Sequence, residues 1–163
     1  MSVSIRTLAL GTALLASAAA AQDRGGEVPG LLLTLKSEKA AERAGSARTL
    51  GEIGPAAKDA VGDLGAALKD ADKEVRRCAA QALGDIGPAS ASAAGALTAM
   101  LKDADWQVRR AAAYSLGRLG TRDVEPALKA AKDDSQEAVR SAAKASLERL
   151  KKLPKGQKTK TMK

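Results

Sequence analysis

The feature that most constrains this chain is that it repeats itself. Residues 48–55, Arg-Thr-Leu-Gly-Glu-Ile-Gly-Pro, return at 81–88 as Gln-Ala-Leu-Gly-Asp-Ile-Gly-Pro and at 114–120 as Tyr-Ser-Leu-Gly-Arg-Leu-Gly. Leu50, Leu83 and Leu116 are therefore spaced by 33 residues. A period of that length means a stack of similar supersecondary units, each burying its apolar face only against its neighbours. Such an array has no single central pocket, so its function resides in the extended surface it presents.

Within one period the pattern alternates between helix and turn. Ala57, Ala60, Val61, Leu64 and Leu68 follow one another at three- and four-residue spacings, as one face of a helix does. Asp70-Ala71-Asp72 interrupts this run, and Asp72 is suited to cap a second helix carrying Val75, Ala79, Ala82, Leu83 and Ile86 along one stripe. Gly87 followed by Pro88 ends it. The same grammar predicts four hairpins: 28–36 with 39–53, 57–69 with 73–86, 90–102 with 106–119, and 122–132 with 136–153. The expected fold is all-α, an α-solenoid of four stacked antiparallel helix hairpins in a right-handed superhelix spanning residues 28–151. The last unit is out of register, with Val108 and Val139 only 31 residues apart, and is more polar, as a terminal repeat should be. Ala-rich composition with Trp106 and Tyr114 as the sole aromatics also suits close-packed helices rather than a sandwich.

The two ends read differently. Arg6, the apolar stretch 8–16 and Ala19-Ala20-Ala21 form a signal-peptide pattern with cleavage expected before Gln22, which places the mature protein in a periplasmic or extracellular setting. The apolar segment 8–21 is too short for the roughly 20 residues of a membrane-spanning helix. Residues 22–27 read as a short linker. The formal net charge is +8, but Arg6 and the six lysines from Lys151 to Lys163 carry all but +1 of it. The folded body is thus nearly neutral, and residues 152–163 read as a disordered Lys-rich tail. Cys78 is alone, so no internal disulfide braces the fold.

Two stretches carry a family resemblance. Residues 69–87, Lys-Asp-Ala-Asp-Lys-Glu-Val-Arg-Arg-Cys-Ala-Ala-Gln-Ala-Leu-Gly-Asp-Ile-Gly, and residues 102–120, Lys-Asp-Ala-Asp-Trp-Gln-Val-Arg-Arg-Ala-Ala-Ala-Tyr-Ser-Leu-Gly-Arg-Leu-Gly, resemble HEAT repeats of the phycobilisome-lyase subtype. The resemblance implies that the helix carrying Val-Arg lines the inner, concave surface and the preceding helix the outer one. It implies a fold far more than an activity.

Little in the chain supports catalysis. There is no histidine, which removes the commonest general base and metal ligand. Deoxyhypusine hydroxylases, HEAT-like enzymes, bind iron through His-Glu pairs that this chain lacks, so neither cofactor nor metal is expected. Cys78 sits at the flank of the apolar stripe and reads as a small packing residue rather than a reactive thiol. Asp70 with Arg76, Asp103 with Arg109 and Asp133 with Arg140 recur at matched places. They could be binding groups, but a feature copied into every repeat reads better as a structural ladder tying each turn to the next helix.

Binding is better served. Opposite the apolar stripe the helical wheel places Arg48, Arg77, Gln81, Arg110, Tyr114 and Lys144, a ridge that varies between copies while the stripe does not. Trp106 begins its helix, where it either joins an Arg-plus-aromatic patch or packs on the preceding hairpin. The expected function is an exported, monomeric scaffold that binds a protein partner through its concave face. The first rival is a binder of polyanions using the tail with Arg48, Arg77 and Arg110; the second is a lyase- or hydroxylase-like enzyme, disfavoured by the missing histidines.

Overall fold

The computed structural model of the chain describes residues 24–154. The expected signal peptide at 1–21 and the lysine-rich end from residue 155 onward lie outside the described residues. Those that are described contain helices and turns and no strand.

Eight α-helices form four hairpins. They are α1 (Val28–Thr34) with α2 (Ala40–Ile53), α3 (Val61–Ala67) with α4 (Lys73–Ile86), α5 (Ala94–Met100) with α6 (Trp106–Arg118), and α7 (Glu125–Ala130) with α8 (Glu137–Lys151). The even-numbered helices are long and pack one on the next along the stack; the odd-numbered ones are short and lean mainly on their own partners. The result is an α-solenoid whose continuous core runs from Val28 to Leu150. Leu50, Leu64, Leu83, Leu97, Leu116 and Leu128 are each fully buried. Burial on that scale stabilises by roughly 1.5–3 kcal/mol per side chain.

The turns follow from residue chemistry. Asp72 accepts hydrogen bonds from the backbone N–H groups of Glu74 at 2.8 Å and Val75 at 3.1 Å, capping α4. Asp105 caps α6 through Gln107 N at 2.8 Å. At the other end Gly54, Gly87 and Gly120 adopt φ of 68°, 78° and 76°, a left-handed region in which a side chain is strained. Pro55 and Pro88, which lack a backbone N–H, cannot continue the α-helix before them and instead open the 3-10 turns that follow.

Three details depart from the sequence expectation. The outer helices are shorter than their periodicity suggests, because Gly54–Ala60 and Gly87–Ala93 form 3-10 turns kinked at Ala57 (φ −90°, ψ 21°) and Ser90 (φ −93°, ψ 17°) before regular α-helix begins. In the last unit that turn shrinks to Arg122–Val124, which accounts for the 31-residue spacing there. The segment read as a linker is partly structured: Arg24–Glu27 is a 3-10 turn whose Arg24 pairs with Glu27 and Glu52. At the far end the backbone carbonyl of Leu153 accepts from Arg122 at 2.8 Å, and its side chain packs on the core, so Leu153 lies against the body while Lys152 and Pro154 are exposed.

Candidate partner-binding groove

The inner helices approach one another closely because glycine permits it. A Cβ on Gly84 would sit 2.8 Å from Ser115 Cα, and one on Gly117 2.7 Å from Ser146 Cα. Ser115 Oγ donates to Ala80 O and Ser146 Oγ to Ala113 O, both at 2.7 Å, fastening each inner helix to the backbone of the one before. Gly51 faces Ala82 in the same way, and a Cβ there would lie 3.0 Å from the backbone of that residue. Periodicity flags these glycines as costly in a helix; the reason for them lies in the neighbouring repeat.

The charged ladder also crosses between repeats. The Nε and Nη2 edge of Arg76 closes on Asp103 at 2.8 and 3.1 Å, while its Nη1 donates to the carbonyls of Asp70 and Ala71. Asp70 receives the fork of Arg43 at 2.7 and 2.8 Å, and Asp134 that of Arg109 at 2.7 and 3.1 Å. Asp70 is therefore not the carboxylate partner of Arg76, nor Asp103 of Arg109: each arginine holds its own turn by carbonyls and the next turn by its aspartate. Asp133 is exposed and outside the ladder, since the shortened turn puts Asp134 in the equivalent position. Arg43, which spacing alone identifies as the copy of Arg76 one period earlier, is its first member. These pairs lower the carboxyl pKa values. Arg43 and Arg109 hold Asp70 and Asp134 below the usual aspartate range, and at Asp103 the opposing effect of burial is more than offset by Arg76 together with the backbone N–H of Asp105.

With these positions committed to packing, the variable ridge is left to line a groove. Arg77 and Gln81 from α4, Gln107, Arg110, Ala111 and Tyr114 from α6, and Ala138, Ser141, Ala142 and Ala145 from α8 enclose a depression of about 500 Å³. Tyr114 is 44% exposed. Arg118 braces it, with its guanidinium 5.4 Å from the ring centroid and Nη1 donating to the phenolic oxygen at 2.9 Å. Arg118, one helical turn beyond Tyr114, is also anchored to Gly84 O at 2.8 Å, so the aromatic is held rather than loose. Arg110 is exposed and makes no ion pair among the described residues.

The remaining ridge residues are placed differently. Arg77 is half-buried and donates from Nε to Glu74 at 2.9 Å and again from Nη2. Arg48 reaches the same carboxylate at 3.3 Å. Glu74 thus neutralises much of the charge expected there, and Arg77 chiefly holds its pKa down. Arg48, Arg77 and Gln81 border a second, smaller depression with Cys78, which is buried; desolvation raises its thiol pKa. Lys144 does not join the groove. It lies on the end face of the stack beside Lys129, Lys132 and Lys151, because in the shortened register it occupies the packing position of Ala80 and Ala113. Trp106 is 38% exposed and lines neither depression. Among the described residues no group of histidine, cysteine, aspartate and glutamate is arranged to hold a metal ion, and no helix is long and apolar enough to cross a membrane.

Stacked hairpins joined by an Asp-Arg ladder define an α-helical repeat scaffold. Residues 28–103 and 94–157 match the family model described as HEAT repeats, and the chain belongs to that family. Among solved structures it is similar to the complex of CpcE and CpcF of phycocyanin lyase from Nostoc sp., with 29% identity, a TM-score of 0.66, and coverage of 84% of this chain and 90% of that one. An engineered protein shares 24% identity and a TM-score of 0.66, over 77% of this chain and 63% of its own. Human deoxyhypusine hydroxylase in complex with glycerol shares 24% identity and a TM-score of 0.62, over 76% of this chain and 43% of its own. These last two likenesses concern the fold alone. None of the curated proteins matches the chain.

Proposed function

We propose that this HEAT-repeat scaffold is an exported, monomeric adaptor that binds a protein partner in the groove between α4, α6 and α8, without catalysis or cofactor. The observation that carries the reading is Tyr114, exposed yet fixed by Arg118, beside the exposed Arg110 and a wall of small residues on α8. A rigid aromatic next to an arginine is the combination that most often dominates binding energy at protein interfaces. The relative from Nostoc is itself part of a two-protein complex, which is consistent with a protein partner here. The missing histidines support a non-catalytic role. Polyanion binding through the inner arginines is less well supported, since Glu74 lies between Arg48 and Arg77.

The test is site-specific photocrosslinking in the native cell envelope. A crosslinker at position 110 should trap a defined protein, one at Lys58 on the outer side should not, and Tyr114→Ala should weaken the isolated complex by more than about 1 kcal/mol. Equal trapping at both positions would sink the groove reading. Intact-mass measurement of the native protein checks export: a chain beginning near Gln22 is expected, and one beginning at Met1 would refute it.

A further inference from the structure

The ladder contains four arginines and three aspartates. Arg43, Arg76 and Arg109 each hold two turn carbonyls with Nη1 and close the Nε and Nη2 edge on an aspartate of the following repeat. Arg140 is prepared in the same way, with Nη1 donating to Asp134 O at 2.8 Å and Ser135 O at 3.0 Å. No repeat follows it among the described residues, and its Nε and Nη2 meet no acceptor there. We infer that Arg140 is a preorganised carboxylate-binding site, open at the end of the stack, for an aspartate-bearing turn of an acidic protein partner.

The three occupied copies specify the ligand. In each, the two carboxylate oxygens take the arginine fork, Oδ2 from Nε and Oδ1 from Nη2, and Oδ1 also accepts the backbone N–H two residues further on: Asp72 N to Asp70 at 2.9 Å, Asp105 N to Asp103 at 2.9 Å, Gln136 N to Asp134 at 2.8 Å. The matching sequence is Asp-x-Asp or Asp-x-polar in a tight turn. A fork already fixed by two carbonyls spends little further entropy when it closes on a carboxylate. Lys144, one helical turn along and exposed, adds a second cation about 6 Å up the axis. A whole fifth repeat is not the occupant. Lys144 and Glu148 stand where Ala113 and Gly117 stand in α6, so a helix cannot approach α8 as α8 approaches α6. A second copy of this chain is also unsuitable, since its first turn carries Ser37 where the aspartate would be. The proposal is independent of the groove reading, which uses other residues.

The test is nuclear magnetic resonance of the arginine Nε–Hε groups in the full chain, titrated with N-acetylated, C-amidated Asp-Ala-Asp. The Arg140 signal should shift saturably while those of Arg43, Arg76 and Arg109, whose forks are filled, hold still. Arg140→Lys, which keeps the charge and loses the fork, should weaken the peptide roughly tenfold as read from α8 amide shifts. The Asn-Ala-Asn peptide should move nothing. A silent Arg140, or an equal non-saturating drift at exposed Arg110 and Arg149, would overturn the site. So would response to a heparin oligosaccharide alone, or a free-chain Arg140 signal that moves when residues 155–163 are deleted, since the occupant would then be a polysaccharide or the chain's own terminus.

Discussion

A single hydrogen atom on Gly84 separates a helix that stacks from one that cannot. Replacing glycine by alanine inside a helix ordinarily gains up to about 1 kcal/mol. At Gly84 the added methyl would lie 2.8 Å from Ser115 Cα, which is backbone and cannot swing aside. Gly84→Ala should therefore destabilise by about 1–3 kcal/mol, the usual cost of overpacking. Gly65→Ala, where nothing lies within 4 Å, should be neutral or stabilising. Urea midpoints for the two variants decide the matter; equal effects would mean the inner helices are less tightly apposed than described. Leu83→Ala, emptying a fully buried site, should cost about 2–5 kcal/mol. Replacing Thr121, whose buried hydroxyl has no hydrogen-bond partner among the described residues, by valine should not destabilise and should raise the midpoint slightly.

Hairpins are joined by ladder pairs, and these give the stack a pH dependence with a definite sign. Asp70, Asp103 and Asp134 have folded pKa values below their unfolded ones, so their contribution is complete above the ordinary aspartate range, near 3.9, and is lost as pH falls through the depressed values. Asp85, raised by burial with Arg118 pulling the other way, contributes oppositely: its term is present at low pH and fades as pH rises. Three pairs outweigh one, so the urea midpoint should fall between about pH 5 and pH 2, and Arg76→Ala should flatten that fall. A steeper acid dependence in the variant would contradict the ladder. This is also where sequence reading reached its limit. The period displayed the hairpins, the buried stripe and the capping Asp72, because each is settled within one repeat. The partner of Arg76 is settled between repeats, so local spacing pointed to Asp70 instead of Asp103. Asp133 and Asp134 are adjacent and chemically identical, and only the length of the preceding turn chooses between them. Lys144 was misplaced for the same reason, whereas Tyr114 and Arg110 fell on the groove because their repeat keeps the regular period.

The described residues form a stack whose last inner helix presents an altered face. Along its interior, small residues at Gly51, Gly84 and Gly117 let each inner helix accept the next. At α8 the glycine position becomes Glu148, and Lys144 stands where Ala80 and Ala113 stand in the helices before; both are exposed. Lys144→Ala combined with Glu148→Gly should expose a smoother, less charged face, and sedimentation velocity should register it as concentration-dependent self-association absent from the parent chain. An unchanged monomer would show that the block lies elsewhere. The arrangement also bears on how such a chain can change its length over generations. Duplicating residues 73–105 in frame would insert another interior unit whose glycine, serine-sized and ladder positions already match both neighbours. The same segment joined after Leu150 would meet Glu148 and have no seat. Growth is therefore open in the middle and closed at this tip, so lineages of this array should differ by internal duplications while the final hairpin is inherited as a fixed terminus.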